Sequence, residues 1–189
     1  PASIEGFASG GEGVARIGGM AVFVKGALRG ERVEVAIEHI GHNAAWGHIE
    51  RLLEPSPARI EPDCPYYGRC GGCQFRHMAY EEELEAKRQR VEDALRRIGG
   101  VDICVPVIYG AENTERYRNK VQFPVADGAI GYYQGRTHRV VDVADCLLQP
   151  KLDTVCRDAV KDWMGRLRVP AYDERTGKGL IRHLFLRTD

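Results

Sequence analysis

Cys64, Cys70 and Cys73 lie in one short run, Asp63-Cys-Pro-Tyr-Tyr-Gly-Arg-Cys-Gly-Gly-Cys73, with spacing C-x5-C-x2-C. Glycines and a proline let such a loop fold around something small, and three thiols on one loop are the donor set of a metal site. A fourth donor is needed to close it. Cys146, in Val143-Ala-Asp-Cys-Leu-Leu-Gln-Pro150, has a comparable strand-to-turn setting with Pro150 close behind. The other two cysteines read as small core residues, Cys104 in an apolar strand and Cys156 on the buried stripe of a helix. Three clustered cysteines with a distant fourth are the habit of a 4Fe–4S cluster, whereas zinc usually takes two short pairs. Structural zinc and a redox dithiol of Cys70 and Cys73 stay open at this point. A disulfide framework suits the chain poorly, because no charged, apolar, small-residue leader opens it and a cytoplasmic setting is expected.

Residues 1–62 carry short alternating runs broken by glycine: Ile4 to Phe7, Val14 to Ile17, Met20 to Val24, Val33 to Ile40 and Ala44 to Leu53. That spacing predicts a small all-β, OB-like barrel, with Val33, Val35 and Ile37 on one face of their strand. Six cations oppose eight carboxylates there, and the whole chain balances 27 against 27, so any polyanion binding must rest on local patches. The histidines 39, 42 and 48 read as surface polar residues, and Trp46 as barrel packing. Prolines 55, 57, 62 and 65 mark a boundary.

Residues 63–189 read as a second domain of α/β or α+β type. A helix is expected from Tyr80 to Ile98, with Leu84, Val91, Leu95 and Ile98 as its apolar stripe, acids at its start, Arg96 and Arg97 at its end, and Gly99-Gly100 as its stop. Strands are expected at Ile103 to Ile108, Arg118 to Val125, Ala129 to Tyr133, Arg139 to Val143 and Leu180 to Leu186. A second helix between them carries Leu152, Val155, Cys156, Ala159, Trp163 and Leu167 on one face. The chain opens at Pro1 and stops at Asp189 directly after an apolar run, so it is expected to be a piece of a longer protein.

The barrel with Gly11-Glu-Gly-Val-Ala-Arg16 and Val22-Phe-Val-Lys-Gly-Ala-Leu-Arg-Gly-Glu31 resembles a TRAM domain. With Cys64 to Arg76, Tyr117-Arg-Asn-Lys120 and Gly179-Leu-Ile-Arg-His-Leu-Phe-Leu-Arg187, the whole chain resembles the N-terminal and central domains of bacterial RNA (uracil-5-)-methyltransferases, in their iron–sulfur 23S ribosomal RNA branch. The resemblance implies Cys64, Cys70, Cys73 and Cys146 as ligands of a 4Fe–4S cluster. It further implies RNA, with a flipped-out uridine, as partner and S-adenosylmethionine as the parent's methyl donor. The family's Rossmann-like S-adenosylmethionine domain is missing from this sequence: no strand leads into a glycine-rich turn followed by an acid. No catalytic residue is therefore assigned here, and the chain alone is expected to be inactive. Neither Cys104 nor Cys156 is read as the nucleophile, since both are expected on apolar faces. The alternative is a stand-alone RNA-binding module with a structural metal, iron–sulfur or zinc. An electron-transfer protein is a third reading, from the cysteines alone.

For RNA contacts, Arg116, Arg118, Lys120, Arg136 and Arg139 face only Asp127 across residues 116–139. Arg118 and Lys120 are expected on one exposed strand face, with Tyr117, Tyr132 and Tyr133 as stacking surfaces. In the barrel, Arg16, Lys25 and Arg29 lie near glycine turns.

Overall fold

In the computed structural model, which describes residues 1–188, the glycine-bounded runs near the N-terminus become one curled six-stranded sheet. β1 (Ala2–Ser3), β2 (Gly6–Phe7), β3 (Gly13–Ile17), β4 (Met20–Lys25), β5 (Arg32–Ile40) and β6 (Ala44–Glu54) are ordered β1-β5-β6-β4-β3-β2. β1 and β2 follow one another in sequence yet sit at opposite edges, so residues 2–7 close the sheet on itself. Ala2 pairs with Val33 of β5 and Gly6 with Val14 of β3. The strands are antiparallel except β4 and β6, which run parallel from Ala21 opposite Ala44 to Lys25 opposite His48. Alternate residues fill the interior: Ala15, Val22, Val24, Val33 and Ala45, joined by Ile4 and Ala27. Ile37, expected on the same face as the buried Val33, is 43% exposed, because register shifts between β5 and β6 turn the end of β5 outward.

Beneath this barrel lies a fully buried carboxylate. Arg59 Nε donates to Glu31 Oε1 at 2.5 Å and Arg59 Nη2 to Glu31 Oε2 at 2.8 Å, while the Leu28 and Ser56 amides donate to the same group. Burial pushes the Glu31 pKa up, but the Arg59 and amide hydrogen bonds outweigh it and hold the group below its ordinary range. His77, 3% exposed, lies close to this pair. Burial and the Arg59 charge bring its pKa down to about 4, against the opposing pull of Glu31 and a hydrogen bond to Gly26.

α1 (Tyr80–Arg97) has the expected acids at its start and Arg96 and Arg97 at its end. Gly100 takes φ +65°, and the Val101 amide returns to Leu95 O at 3.0 Å to end the helix. The inward face differs from the expected stripe. Ala86 is the buried residue, Arg29 of the barrel pairs with Glu82 at 3.0 Å, and Val91 and Ile98 face solvent. Residues 103–108 do not form the expected strand. The Val105 amide donates to Glu92 on α1 and its carbonyl accepts from Arg88, while Pro106 has no N–H for a ladder.

The second sheet is antiparallel throughout, in the order β10-β7-β8-β9, which makes this half α+β. Its strands are β7 (Lys120–Ala126), β8 (Ala129–Tyr133), β9 (Val140–Asp142) and β10 (His183–Arg187). β7 and β8 turn through Asp127-Gly128, both at positive φ. α2 (Lys151–Leu167) covers a core of Val121, Phe123, Val125 and Ile130 with Met164 and Val160. Its expected apolar face is turned outward: Leu152, Val155, Trp163 and Leu167 are exposed and Cys156 is half-buried. The buried stripe is Asp153, Arg157 and Met164. Arg157 lies on the inner face because its guanidinium donates to the carbonyls of Val143 and Ile130. A charged side chain thereby satisfies backbone groups that an apolar one would leave unmet.

The chain forms two compact units, residues 1–63 with 74–110, and residues 64–73 with 111–189. The division expected after residue 62 is thus interrupted: α1 belongs with the barrel and the cysteine loop with the second sheet. Among the described residues, no helix is long and apolar enough to cross a membrane.

The buried acid and imidazole make the first unit acid-labile. His77 titrates near 4 when folded and near 6.5 when unfolded, so the unfolded state binds the extra proton between those values. Stability is complete above about pH 6.5 and declines as pH falls toward 4, by an amount on the order of a few kcal/mol. The depressed Glu31 pKa adds a further loss below its ordinary value of 4.5. Thermal unfolding across pH 7 to 4 measures the slope, and His77→Phe should flatten it above pH 5. Glu31→Gln should cost about 3 kcal/mol at neutral pH, because it strands Arg59.

Candidate metal centre

The cysteine loop is shaped by its own backbone. The amides of Tyr67 and Cys70 return to the carbonyls of Cys64 and Tyr66 at 3.1 and 2.8 Å, and Gly68 takes φ +82° between them. Three contacts then fasten it to the second sheet. The Gly71 amide donates to Tyr133 O at 2.9 Å, Cys70 bridges to Gln134, and the Ala144 amide donates to Tyr66 Oη at 3.0 Å. Gly71 is required by a close approach: a Cβ there would lie 3.0 Å from the backbone of Gly135 and 3.1 Å from Tyr133 O.

The Cys146 turn is held from the other side. Arg116, itself at φ +55°, forms a bidentate pair with Asp145 at 2.7 Å through both terminal nitrogens. The same guanidinium donates to the carbonyls of Cys146 at 2.9 Å and Gln149 at 3.0 Å. The amides of Arg116 and Arg118 pair with the carbonyls of Leu147 and Leu148. Arg116 was expected only as part of a basic patch; its structural work depends on a partner 29 residues away, which local spacing does not reveal.

Together these contacts bring Cys64, Cys70, Cys73 and Cys146 around one cavity of about 30 Å³, which Tyr66, Tyr132, Val143, Leu148 and Arg118 also line. None of the six cysteines is in a disulfide. Burial raises the Cys70 thiol pKa, with Cys146 and Cys64 adding to the rise and Arg118 and the Gly72 amide, 3.4 Å from its sulfur, opposing it. Tyr132 donates to Gln149 Oε1 at 2.6 Å, and burial pushes its phenol pKa up. Among the described residues, no group of three or more His, Cys, Asp or Glu side chains is arranged to hold a metal ion. The four thiols line one cavity. Cys104 stands apart and exposed, its sulfur 3.9 Å from Arg88, so it is neither the core residue nor in the apolar setting expected of it.

The residues read as RNA contacts separate into groups. Arg16, Lys25, Lys120, Arg136 and Arg139 are exposed, and Tyr117 is 59% exposed. Arg29 is engaged with Glu82 and Gln89. Arg118 precedes β7 and, like Tyr132, lines the cysteine cavity, so neither shares the open strand face expected of Arg118 with Lys120.

Residues 1–49 match the TRAM domain family. A Clostridium tetani protein described as an uncharacterized RNA methyltransferase is 43% identical over 190 residues, covering 98% of this chain and 41% of the relative. One from Caldanaerobacter subterraneus with a similar description is 45% identical over 178 residues, covering 92% and 39%. The chain therefore spans about two-fifths of the length of these relatives. The crystal structure of Pyrococcus abyssi tRNA (uracil-54, C5)-methyltransferase with S-adenosyl-L-homocysteine superposes with a TM-score of 0.69 at 20% identity, over 98% of this chain and 42% of that one. That likeness is one of fold. The TRAM match thus falls within the N-terminal barrel, and the homologues are named RNA methyltransferases.

Gly71→Ala should disturb the loop at its tightest contact. Neighbouring backbone must shift by a few tenths of an ångström, at a cost of about 1–3 kcal/mol. Thiol titration and metal retention against a chelator should show a weakened site, while far-UV circular dichroism of the barrel stays unchanged.

Proposed function

We propose that this chain is the RNA-recognition and metal–thiolate portion of an S-adenosylmethionine-dependent RNA (uracil-5-)-methyltransferase that forms 5-methyluridine, with 23S ribosomal RNA as substrate. The observation that carries the reading is the pairing of a TRAM barrel with four cysteines around one cavity, in a chain whose relatives are named RNA methyltransferases. The TRAM reading covers residues 1–62 and the central-domain reading residues 63–189, of which residues 74–110 pack in the same compact unit as the barrel.

The cavity suits a 4Fe–4S cluster held by Cys64, Cys70, Cys73 and Cys146. Four soft donors converge, and no carboxylate lines the space. Structural zinc, with Zn–S bonds of about 2.3 Å, is the competing occupant of the same four thiols. When bound, the cluster supplies four metal–thiolate bonds that tie loop 64–73 to the Cys146 turn. This chain's own residues prepare that tie: Tyr66, Gly71 and Arg116 hold the thiol-bearing backbone in place through hydrogen bonds that need no metal.

RNA contacts are assigned to Arg16 and Lys25 in the barrel and to Tyr117, Lys120, Arg136 and Arg139 in the second unit. Exposed cations beside an exposed aromatic ring suit an unstacked RNA loop. The target uridine is expected to be flipped from its stack, and the methyl-transfer centre is placed in the part of the parent outside these 189 residues.

Anaerobically purified protein should contain about four irons and four acid-labile sulfides per chain. One zinc without sulfide would move the assignment to an RNA-binding module with a structural metal. Cys70→Ala should lose the metal and destabilise the second unit while the barrel stays folded. Lys120→Ala with Arg136→Ala and Arg139→Ala should weaken RNA binding and flatten its salt dependence by about 0.7 in log–log slope per lost phosphate contact. An unchanged slope would return these cations to ordinary surface charge.

A further inference from the structure

Among the residues lining the four-cysteine cavity, Arg118 is the one cation, beside thiols, phenol rings and aliphatic side chains. Its backbone is fixed, since its amide donates to Leu148 O at 2.9 Å, two residues past Cys146. Its neighbour Arg116 is committed to Asp145, whereas Arg118 forms no ion pair among the described residues. It is half-buried, and no carboxylate lines the cavity to offset its charge.

A guanidinium partly withdrawn from water and given no carboxylate is costly unless another anion faces it. The anions available in this cavity are thiolates. We propose that Arg118 is the counter-cation of the thiolate-bound centre, a positioning residue that offsets the negative charge of the metal site and takes no part in RNA contact. The proposal rests on the cluster reading above. Four thiolates around a 2+ cubane core leave a net charge of −2, and one added electron makes it −3, so a cation in the cavity favours the more negative form. Arginine presents a rigid fork of five donors, which can meet sulfur from a fixed backbone position.

The test compares the parent chain, Arg118→Gln and Arg118→Lys, each purified anaerobically, for iron, sulfide and cluster midpoint potential. Dithionite supplies the single electron of the titration, as a probe of local charge and not as a proposed activity. At full iron content, Arg118→Gln should shift the midpoint to a more negative potential, and Arg118→Lys should lie near the parent. In the same samples, the salt slope of RNA binding should stay at the parent value, unlike that of the Lys120, Arg136 and Arg139 variant. Equal potentials in parent and Gln variant, equal shifts in the Gln and Lys variants, or a flattened RNA salt slope at full iron would each overturn it. If Arg118→Gln loses iron, retention by Arg118→Lys supports the charge role, and loss from both overturns it. A parent without iron and sulfide refutes the cluster reading itself, before any variant is compared.

Discussion

One guanidinium organises the second unit. Arg116 reaches from the segment before β7 to the carboxylate of Asp145 and to the carbonyls of Cys146 and Gln149, so the turn carrying the fourth cysteine is fixed by three acceptors on one planar donor. The segment that bears Arg116 runs beside that turn, its amides bonded to Leu147 and Leu148, and this same pairing puts Arg118 into the cavity. Asp145 remains ionised at lower pH than usual because of the Arg116 hydrogen bonds, so the clamp persists well into mild acid. Loop 64–73 arrives against a turn that is already set.

The two units solve the same problem with different chemistry. In the first, a buried ion pair, Glu31 with Arg59, satisfies the Leu28 and Ser56 amides where the chain leaves the barrel. Such a pair adds little net stability but is costly to break, which makes it a device for fixing geometry. In the second, Arg157 inside the sheet–helix layer plays the corresponding role by meeting the carbonyls of Val143 and Ile130. Apolar packing supplies the adhesion in both units, and buried cations supply the directionality.

The features legible in the sequence were those with a short range. Glycine-bounded alternation located β3 to β6, the charge order and paired glycines located α1, and spacing grouped Cys64, Cys70 and Cys73, whereas Cys146, 73 residues further on, was selected by its strand-to-turn setting and lines the same cavity. The inner face of α2 was not legible, because counting apolar residues at helical spacing selects Leu152, Val155, Trp163 and Leu167, while the buried positions include Asp153 and Arg157. Nothing local reveals that an arginine will find the carbonyls of Ile130 and Val143, 27 and 14 residues away. Arg118 lies off the expected strand face for a related reason: β7 starts at Lys120, so the alternation that sends Lys120 outward does not extend back to it. Residues 103–108 have strand-like composition but find their partners in side chains of α1.

The closure of the barrel by its first residues also bears on the order of synthesis. Every strand pairing of that sheet falls within residues 2–54, so a nascent chain can complete the sheet before the cysteine loop leaves the ribosome. The loop, by contrast, waits for Tyr133, Ala144 and Cys146, the last of them 82 residues behind Cys64. During that interval three thiols travel without their fourth partner beside a finished domain. Oxidation of these three thiols is therefore a hazard of biosynthesis until residue 146 has emerged.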